Sequence, residues 1–351
     1  MTADPPVPWH RSSTPLLVAE IGGNHQGDYA AACHLCDLAL DSGVDYVKFQ
    51  VYKGDTLVSP REAPDRHAHF TRFELTPNQH LALAERCRAA GVGYCASVWD
   101  PAALDWIDDA LDFYKIGSGD LTAWPILERF AERGKPMVLS TGLATLHEVV
   151  ETVAFLQSVN ARYREPGALA LLQCTAMYPI DDGDANLLAM ETLHDATGLD
   201  VGYSDHTRDG LALLVAAARG ARILEFHFTD SREGKVFRDH SVSLTREETR
   251  MLRAHVSRIP VLLGDGVKQP MPSEVQSGHV TSFRRALYSR RPLCAGELLR
   301  SEDLIALRPN HGIDARSLRA VVGGRVRRDA AAFERLEFDA AESSDAEGAT
   351  G

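Results

Sequence analysis

The chain has 351 residues, of which 44% are hydrophobic and 25% charged, and a formal net charge of −12. This composition is typical of a soluble globular protein with room for one large domain and one small domain. The negative charge argues against a nucleic-acid-binding protein, because duplex binding depends on Lys and Arg side chains against phosphates. No apolar run reaches membrane-spanning length, and residues 1–13 lack the pattern of a signal peptide, so we expect a cytoplasmic protein without a membrane partner.

Six cysteines in a chain of this length do not indicate a disulfide framework. Cys33 and Cys36 are spaced like half of a zinc site or a redox pair, but the chain contains no second CxxC. The surrounding residues have a helical pattern, which favours small side chains on a buried helix face.

Eight short β-like runs recur along the chain, with amphipathic stretches between them. The runs are 16–22, 46–52, 94–100, 113–119, 137–142, 169–179, 200–206 and 222–230, and the helical stretches include 29–42, 78–90, 145–160 and 245–263. Gly43, Gly91, Gly134 and Gly220 are placed to end helices before four of the strands. Eight such units in about 250 residues predict a (β/α)8 TIM barrel. A doubly wound sheet is the alternative, but the first loop, "EIGGNHQGD", lacks the GxGxxG spacing.

The sequence therefore predicts an α/β protein in five parts. Residues 1–14 form a disordered N-terminus, 15–263 the barrel, 264–280 a linker, 281–338 a small β-rich domain and 339–351 a disordered tail. A domain of about 60 residues is near the lower limit for independent folding, so we expect it to dock on another surface.

The second predicted strand places a lysine on a face that should point into the barrel. In "YVKFQVY" the apolar face is Val47, Phe49 and Val51, and the opposite face carries Lys48 and Gln50. A lysine in a barrel lumen is costly unless it meets an anion. This pattern favours a functional role over a solvent-exposed edge strand.

Polar groups also occur at the ends of most other strands, where TIM barrels carry their active sites. They are Glu20, Ser97, Lys115, Ser118, Asp120, Ser140 and Ser204. Two lysines with several hydroxyls and loop amides are suited to a bound phosphate.

Two histidines end the last two strands of the predicted barrel. His206 follows the seventh run and His227 lies in the eighth, with Asp205 and Glu225 beside them. Imidazoles on strands about 4.8 Å apart can share one divalent metal. A single histidine would more often be a hydrogen-bonded core residue, but the pair favours metal binding.

Eight motifs follow one another along the chain: "AEIGGNHQGD", "DYVKFQ", "YKIGSGDLT", "STG", "LLQCTAMYP", "VGYSDHT", "EFHFTD" and "DHSVSL". In this order they resemble the motifs of the N-acetylneuraminate (sialic acid) synthase family. The resemblance covers about residues 15–330 and includes legionaminate, pseudaminate and spore-coat polysaccharide members. It identifies the C-terminal piece as similar to the family's antifreeze-like domain.

The resemblance implies a transferase that condenses phosphoenolpyruvate with an open-chain N-acetylmannosamine-type aldose. The products would be a nonulosonic acid and phosphate. His206 and His227 would hold a divalent metal, Mn2+ or Mg2+, and Glu20, Lys48, Lys115 and Asp120 would be the catalytic groups. Phosphoenolpyruvate would bind to a set of lysines and serines: Lys48, Ser97, Lys115, Ser118, Ser140 and Ser204.

The resemblance also implies how the sugar is bound. Gln50, Tyr178 and Asp239, together with Glu20, would contact the sugar, and Arg308 would reach its N-acyl group from the partner chain. A domain-swapped homodimer follows from this assignment.

Four departures from the family pattern concern the sugar rather than the reaction class. Asp120 stands where some members have Glu, Ala176 where Asn or Ser is common, and Phe226 where Arg or Lys is frequent. Residues 231–244 differ from the usual glycine-containing approach to the Asp-His pair. A legionaminic, pseudaminic or spore-coat precursor therefore stays open as the acceptor.

Three other activities stay open as well. A phosphoenolpyruvate condensation that makes another 3-deoxy keto acid is the nearest of them. A Schiff-base pyruvate aldolase would use Lys48 or Lys115 as the nucleophile. A non-catalytic sugar-binding homologue would bind without releasing phosphate.

Overall fold

The computed structural model describes residues 9–10 and 14–339. Eight parallel strands close into a barrel in chain order, with the first strand pairing with both the second and the eighth. The strands are β1 Leu16–Glu20, β2 Tyr46–Val51, β3 Gly93–Val98, β4 Tyr114–Ile116, β5 Met137–Ser140, β6 Leu169–Cys174, β7 Asp200–Asp205 and β8 Ile223–His227. The predicted (β/α)8 fold is confirmed, and each strand is shorter than its predicted run because the polar residues after it form loops.

Ten helices accompany the strands in this part of the described chain. They are α1 Tyr29–Leu40, α2 Gly54–Leu57, α3 Pro64–Phe73, α4 Pro77–Ala89, α5 Leu104–Ile107, α6 Trp124–Arg133, α7 Leu146–Val159, α8 Ala189–Thr197, α9 Leu211–Ala218 and α10 Arg246–Leu263. The predicted starts of α7 and α10 fall one residue early, because Thr145 and Thr245 are extended caps that accept the backbone N–H of Glu148 and Glu248. The sequence did not predict α2 and α3, which lie in the long connection after β2.

Two apolar cores hold this unit together. The larger one packs the outward faces of the strands against the helices, and it includes Phe49, Ile107, Phe130 and Phe226. The smaller one fills the lower lumen with inward side chains such as Tyr46, Phe113 and Leu172.

Residues 9 and 10 lie in the segment that was predicted to be disordered. The indole of Trp9 is fully buried in the lower-lumen core, edge-on to Phe113 with a centroid separation of 5.3 Å. His10 Nδ1 lies 2.8 Å from Asp200 Oδ2. The apolar bulk of Trp9 explains this order, since burial of one aromatic ring removes a large area from water. Residues 1–8 and 11–13 lie outside the described residues.

A second compact unit begins at Asp265. It contains α11 Pro272–Gln276, α12 His279–Ser282, β9 Ala286–Ser289, β10 Leu304–Leu307, α13 Leu318–Val321, β11 Arg325–Val326 and β12 Phe338–Asp339. The strands form two antiparallel two-stranded sheets, β9 with β10 and β11 with β12, around a small core with Leu287, Leu304 and Val321. The predicted small β domain is confirmed, whereas α11 lies in the stretch predicted as linker.

The predicted tail lies outside the described residues from position 340 onward. Over the described part of the chain, we find no helix with the length and apolar character needed to cross a bilayer.

Candidate functional site

Ionisable and hydroxyl side chains meet at the carboxyl-terminal end of the barrel lumen. The strands supply Glu20 from β1, Lys48 and Gln50 from β2, Ser97 from β3, Lys115 from β4, Ser140 from β5, Ser204 from β7, and Glu225 and His227 from β8. All but Gln50 are buried, with at most 7% of the residue surface exposed. They converge because inward positions alternate along each strand and the strand ends share one rim.

Two buried lysines face two buried carboxylates. Lys48 donates to Glu20 in a close ion pair, and Gln50 Nε2 donates to the other oxygen of the same carboxylate at 2.7 Å. Glu225 lies between the lysines, 3.8 Å from Lys48 Nζ and 3.7 Å from Lys115 Nζ. Removing either partner of such a pair would leave an uncompensated buried charge.

Hydroxyl groups extend this network around Lys115. Its Nζ donates to Ser140 Oγ at 2.7 Å and to the carbonyl oxygen of Ile116 at 3.0 Å, and Ser204 Oγ donates to Glu225 at 3.0 Å. The sequence places Glu225 beside the histidines, but we assigned no role to it from the sequence. Glu225 is two positions before His227 on β8, so strand alternation predicts that both side chains point into the lumen. The structure makes it a shared counter-ion of both lysines.

The two lysines have different proton affinities. Burial lowers the pKa of Lys115, against the opposing charge of Glu225. For Lys48, burial acts in the same direction, but the carboxylates of Glu20 and Glu225 outweigh it and raise the pKa. Lys48 is therefore firmly cationic, whereas Lys115 loses its proton more readily.

The predicted histidine pair is brought together. His227 ends β8 and His206 follows β7, and their ring centroids are 5.3 Å apart. The ring of Tyr178 packs against both, at 4.0 Å from His206 and 5.4 Å from His227. His206 Nδ1 donates to the carbonyl oxygen of Thr175 at 2.6 Å, which leaves Nε2 as the nitrogen with a free lone pair.

Both imidazoles suit a divalent metal. Burial, together with the neighbouring His227, lowers the pKa of His206 to about 3, so this ring is neutral. His227 Nδ1 is buried without a hydrogen-bond partner and lies 3.8 Å from Asp239 Oδ2. Rings this far apart can each place a nitrogen about 2.1 Å from one ion. Among the described residues no group of three or more His, Cys, Asp or Glu side chains is arranged around a metal position.

Ser118 and Asp120 lie in a short 3-10 turn after β4, the strand that contains Lys115. The backbone N–H of Gly142 donates to Ser118 Oγ at 3.1 Å, so the hydroxyl hydrogen of Ser118 can point to a ligand. Burial raises the pKa of Asp120 to about 6, against the charge of Lys115. A carboxyl group with this pKa can exchange a proton near neutral pH.

The remaining predicted residues fall into two places. Asp239 is buried in the turn after β8, where Arg238 Nε donates to it at 3.2 Å, and the guanidinium of Arg238 lies 4.6 Å from the centroid of Tyr178. Arg308 belongs to the second unit, where it lies 5.7 Å from the ring of the exposed Phe283.

The paired cysteine motif forms no disulfide: Cys36 is buried, Cys33 is half-buried and both are free.

The molecule is a closed (β/α)8 barrel with ionisable groups and two neighbouring imidazoles at the carboxyl ends of its strands. Enzymes with this fold have their active sites at that end of the barrel. The model of the NeuB family matches residues 35–268, and the chain belongs to that family. The predicted resemblance to sialic acid synthases is therefore confirmed, as is the prediction of an enzyme of the nonulosonic acid synthase class.

Relatives with assigned activities cover nearly the whole chain. It is 34% identical over 315 residues to an N,N'-diacetyllegionaminic acid synthase of Campylobacter jejuni, covering 86% of this chain and 92% of that protein. It is 35% identical over 332 residues to the enzyme of the same name from Legionella pneumophila, covering 90% and 91%. An N-acetylneuraminic acid synthetase structure from Leptospira borgpetersenii matches 76% of this chain and 91% of that chain, with 29% identity and a TM-score of 0.68.

Proposed function

We propose that this enzyme condenses phosphoenolpyruvate with an open-chain N-acyl amino aldose of the N-acetylmannosamine type, giving a nonulosonic acid and phosphate. The observation that carries the proposal is the meeting of two buried lysines and two imidazoles at one end of a closed lumen. The names of the relatives, which are synthases of legionaminic acid and of other acids of this class, support it.

Phosphoenolpyruvate is assigned to the lysine side of the lumen. Lys48 and Lys115 would face its phosphate and carboxylate, and the hydroxyls of Ser97, Ser118, Ser140 and Ser204 would donate to its oxygens. Charge-assisted hydrogen bonds of this kind are strong where water is excluded. Ser204 donates to Glu225 in the structure described, so its hydroxyl must turn to reach a ligand.

The aldose is assigned to the imidazole side. His206 and His227 would hold Mn2+ or Mg2+, which supplies a Lewis acid for the aldehyde oxygen. The Thr175 carbonyl fixes the tautomer of His206, and Tyr178 fixes the orientation of both rings. Glu20, Gln50, Tyr178 and Asp239 would bind the aldehyde end and the hydroxyls.

The chemistry then has two stages. C3 of phosphoenolpyruvate bonds to the aldehyde carbon, whose oxygen takes a proton. Water adds at C2 with loss of a proton, and the C2–O bond to phosphate breaks to leave the keto acid. Asp120 would handle the proton at the water step, and its raised pKa fits that exchange.

The proposal extends to the assembly and location of the enzyme. Arg308 would reach the acyl group of a sugar bound in the partner chain of a domain-swapped homodimer, and the enzyme would act in the cytoplasm. Gel filtration with light scattering checks the dimer, and addition of an Arg308→Ala chain to an active-site variant tests whether the residue acts in the other protomer.

A panel of 2-acetamido aldoses tests the reaction itself. Full-length enzyme with phosphoenolpyruvate and Mn2+ is expected to release phosphate with at least one acceptor and to lose that activity with chelator. Absence of phosphate release with every acceptor would contradict the proposal.

A Schiff-base aldolase is the second candidate, because burial lowers the pKa of Lys115 as a nucleophilic amine requires. That activity predicts covalent trapping by borohydride with pyruvate and insensitivity to chelator. The two hydrogen bonds that Lys115 donates favour the condensation.

A further inference from the structure

A further layer of residues lies above the lysines at the mouth of the barrel, and the proposed chemistry gives it no role. Each member comes directly after its strand and two positions after an inward group of the candidate site, as strand alternation requires for the same face. The members are Tyr52 after Gln50, Trp99 after Ser97 and Gly117 after Lys115. The backbone N–H of Trp99 donates to the carbonyl oxygen of Val51 at 2.9 Å, so the pairing of β2 with β3 continues into this layer.

Two of these residues form an aromatic wall with Phe70 of α3. The ring centroids of Trp99 and Tyr52 are 5.2 Å apart, those of Trp99 and Phe70 6.0 Å, and those of Tyr52 and Phe70 5.3 Å. Tyr52 is buried and the other two rings are half-buried. Because each ring packs on the other two, the wall is a continuous apolar surface.

The wall approaches the turn that carries Asp120. A Cβ added to Gly117 would lie 3.5 Å from Trp99 Nε1 and 4.0 Å from Asp120 Oδ2. Apart from Gly117 and its two chain neighbours, no other atom of the described residues lies within 4 Å of that point. The indole and the carboxyl group therefore border the same small space, which the missing side chain of Gly117 leaves open.

The carboxyl group of Asp120 has one charged neighbour. Burial raises its pKa to about 6, and the charge of Lys115 on β4 opposes that rise. The hydroxyl of Tyr52, in the wall, responds to burial and to the charges of Glu74 and Glu20 instead. Exclusion of water, rather than a nearby negative charge, is thus the reason for the raised pKa of Asp120.

The charges on α6, the helix that packs against this turn, are engaged elsewhere. Arg129 pairs with Glu132, Arg133 pairs with Asp105 of α5, and Glu128 is exposed. The apolar surface that borders the carboxyl group is therefore the feature of its surroundings that can keep it dry.

We propose that Trp99 is a positioning residue for the water step of the reaction: backed by Tyr52 and Phe70, its indole shields the Asp120 carboxyl group from bulk water, so that this group meets the water that adds at C2. The inference rests on the proposed condensation and deepens it, because it assigns a role to a side chain outside the lysine and imidazole sides. A fully solvated aspartate is a weak acceptor for the proton that the added water loses, since its proton affinity is low at working pH.

Titration of the Asp120 carboxyl group in the substrate-free, full-length enzyme tests the shield. Aspartate labelled with 13C at the carboxyl carbon reports the titration by NMR, and Asp120→Asn identifies the signal. The wild-type pKa is expected near 6. Trp99→Ala is expected to lower it by about one pH unit or more, toward the value of an exposed aspartate. Trp99→Phe keeps an aromatic ring at this position and is expected to stay within about 0.3 pH units of the wild type.

Two further variants test the shield if Trp99→Ala does not fold. Phe70→Ala removes a ring that backs the indole, and it is expected to lower the pKa of Asp120 by less than Trp99→Ala does. Gly117→Ala is expected to raise that pKa, because its Cβ would make ordinary contacts with both groups and fill the space between them. The backbone of Gly117, at φ −71° and ψ 157°, accepts alanine without strain.

The matched control is Trp106→Ala, which removes another half-buried tryptophan. Trp106 lies on α5 with its ring centroid 6.2 Å from that of His80, so the pKa of Asp120 should not change. An unchanged pKa in Trp99→Ala, an equal fall in Trp99→Phe or a fall in Gly117→Ala would overturn the inference and leave the proposed condensation intact.

The pH dependence of kcat connects the shield to the reaction. As a proton acceptor Asp120 acts in its ionised form, so kcat should fall as the pH drops through the pKa of this group. Trp99→Ala is expected to move this acid limb to lower pH by about the amount seen in the carboxyl titration. An acid limb that stays in place while the titration moves would overturn the role of Trp99 in the water step. Because the titration needs no substrate, failure of the condensation itself would appear separately, as an absence of phosphate release in the wild type.

Discussion

The two halves of the barrel lumen are built from the same strands but differ in chemistry. Low in the lumen the inward positions are apolar, as at Val18, Phe113 and Val138, and Trp9 closes that end. Two residues further along the same strands, the inward positions are Glu20, Lys115 and Ser140. The same sheet thus provides a packed apolar core and a charged site, and the two layers are only two residues apart along each strand.

This division explains how the barrel can hold buried charges. Packing in the lower lumen fixes the strand register, so the lysines and carboxylates above it are held in position without having to stabilise the fold. Changes in the upper layer should affect chemistry, and changes in the lower layer should affect stability. The following experiments test that division, from the largest expected effect to the smallest.

Replacement of the imidazoles should abolish turnover. His206→Ala and His227→Ala each remove one of the two imidazoles that we propose as metal ligands, and we expect a loss of kcat of about 10³-fold or more. The measurement is phosphate release at saturating substrates, with the melting temperature as a check of the fold. A normal rate in either variant would remove the metal assignment.

Replacement of Lys115 should weaken the use of phosphoenolpyruvate. Lys115→Ala leaves Glu225 with one cation instead of two, so we expect kcat/KM for phosphoenolpyruvate to fall about 10²-fold, mainly through KM. Lys135→Ala is the control, because this lysine binds backbone carbonyls outside the lumen. An unchanged KM for phosphoenolpyruvate would contradict the lysine assignment.

Truncation of the lower lumen should cost stability and spare the kinetics. Trp9→Ala empties space beside Phe113, and we expect a loss of about 3 kcal/mol in the free energy of unfolding. Urea denaturation measures that loss, and Trp124→Ala, at a 38% exposed position on α6, provides a comparison with a smaller expected effect. A change in the KM of either substrate at 25 °C would show that the two layers are coupled.

The smallest effect concerns two histidines outside the lumen. His25 and His80 are buried, with His80 Nδ1 3.0 Å from the Tyr94 hydroxyl, and burial lowers their pKa values to about 4 and about 3. In the unfolded chain both take protons near pH 6.5, so their contribution to stability is complete above that pH. It is lost as the pH falls from 6.5 toward 4.

Each histidine should contribute a slope of about 1.4 kcal/mol per pH unit in that range. Denaturation at several pH values is expected to show a smaller slope in His80→Gln than in the wild type. His147→Gln, at an exposed position on α7, should retain the full slope. Equal slopes in His80→Gln and the wild type would show that His80 accepts a proton in the folded state.

Much of the site was predictable because strand alternation is a local property. The sequence alone predicts that Lys48 points inward and that His206 and His227 end neighbouring strands, and the structure confirms both placements. Helix boundaries at Thr145 and Thr245 were predictable to within one residue for the same reason, since caps depend on residues three positions apart.

What the sequence did not reveal depends on residues far apart in the chain. Glu225 became a counter-ion only when β2, β4 and β8 brought Lys48 and Lys115 to within 4 Å of its carboxylate. Trp9 was assigned to a disordered segment because nothing nearby in the sequence shows that it meets Phe113.

The contact between α3 and the loop after β8 is the clearest case. Phe73 and Phe237 are separated by more than 160 positions, and their ring centroids come to within 5.3 Å only once α3 lies against that loop. The sequence by itself determined the barrel, the inward lysines and the histidine pair, because side-chain period and strand order encode them. Only the tertiary structure decided which charges compensate one another, because Coulomb interactions depend on distance in space and not on separation along the chain.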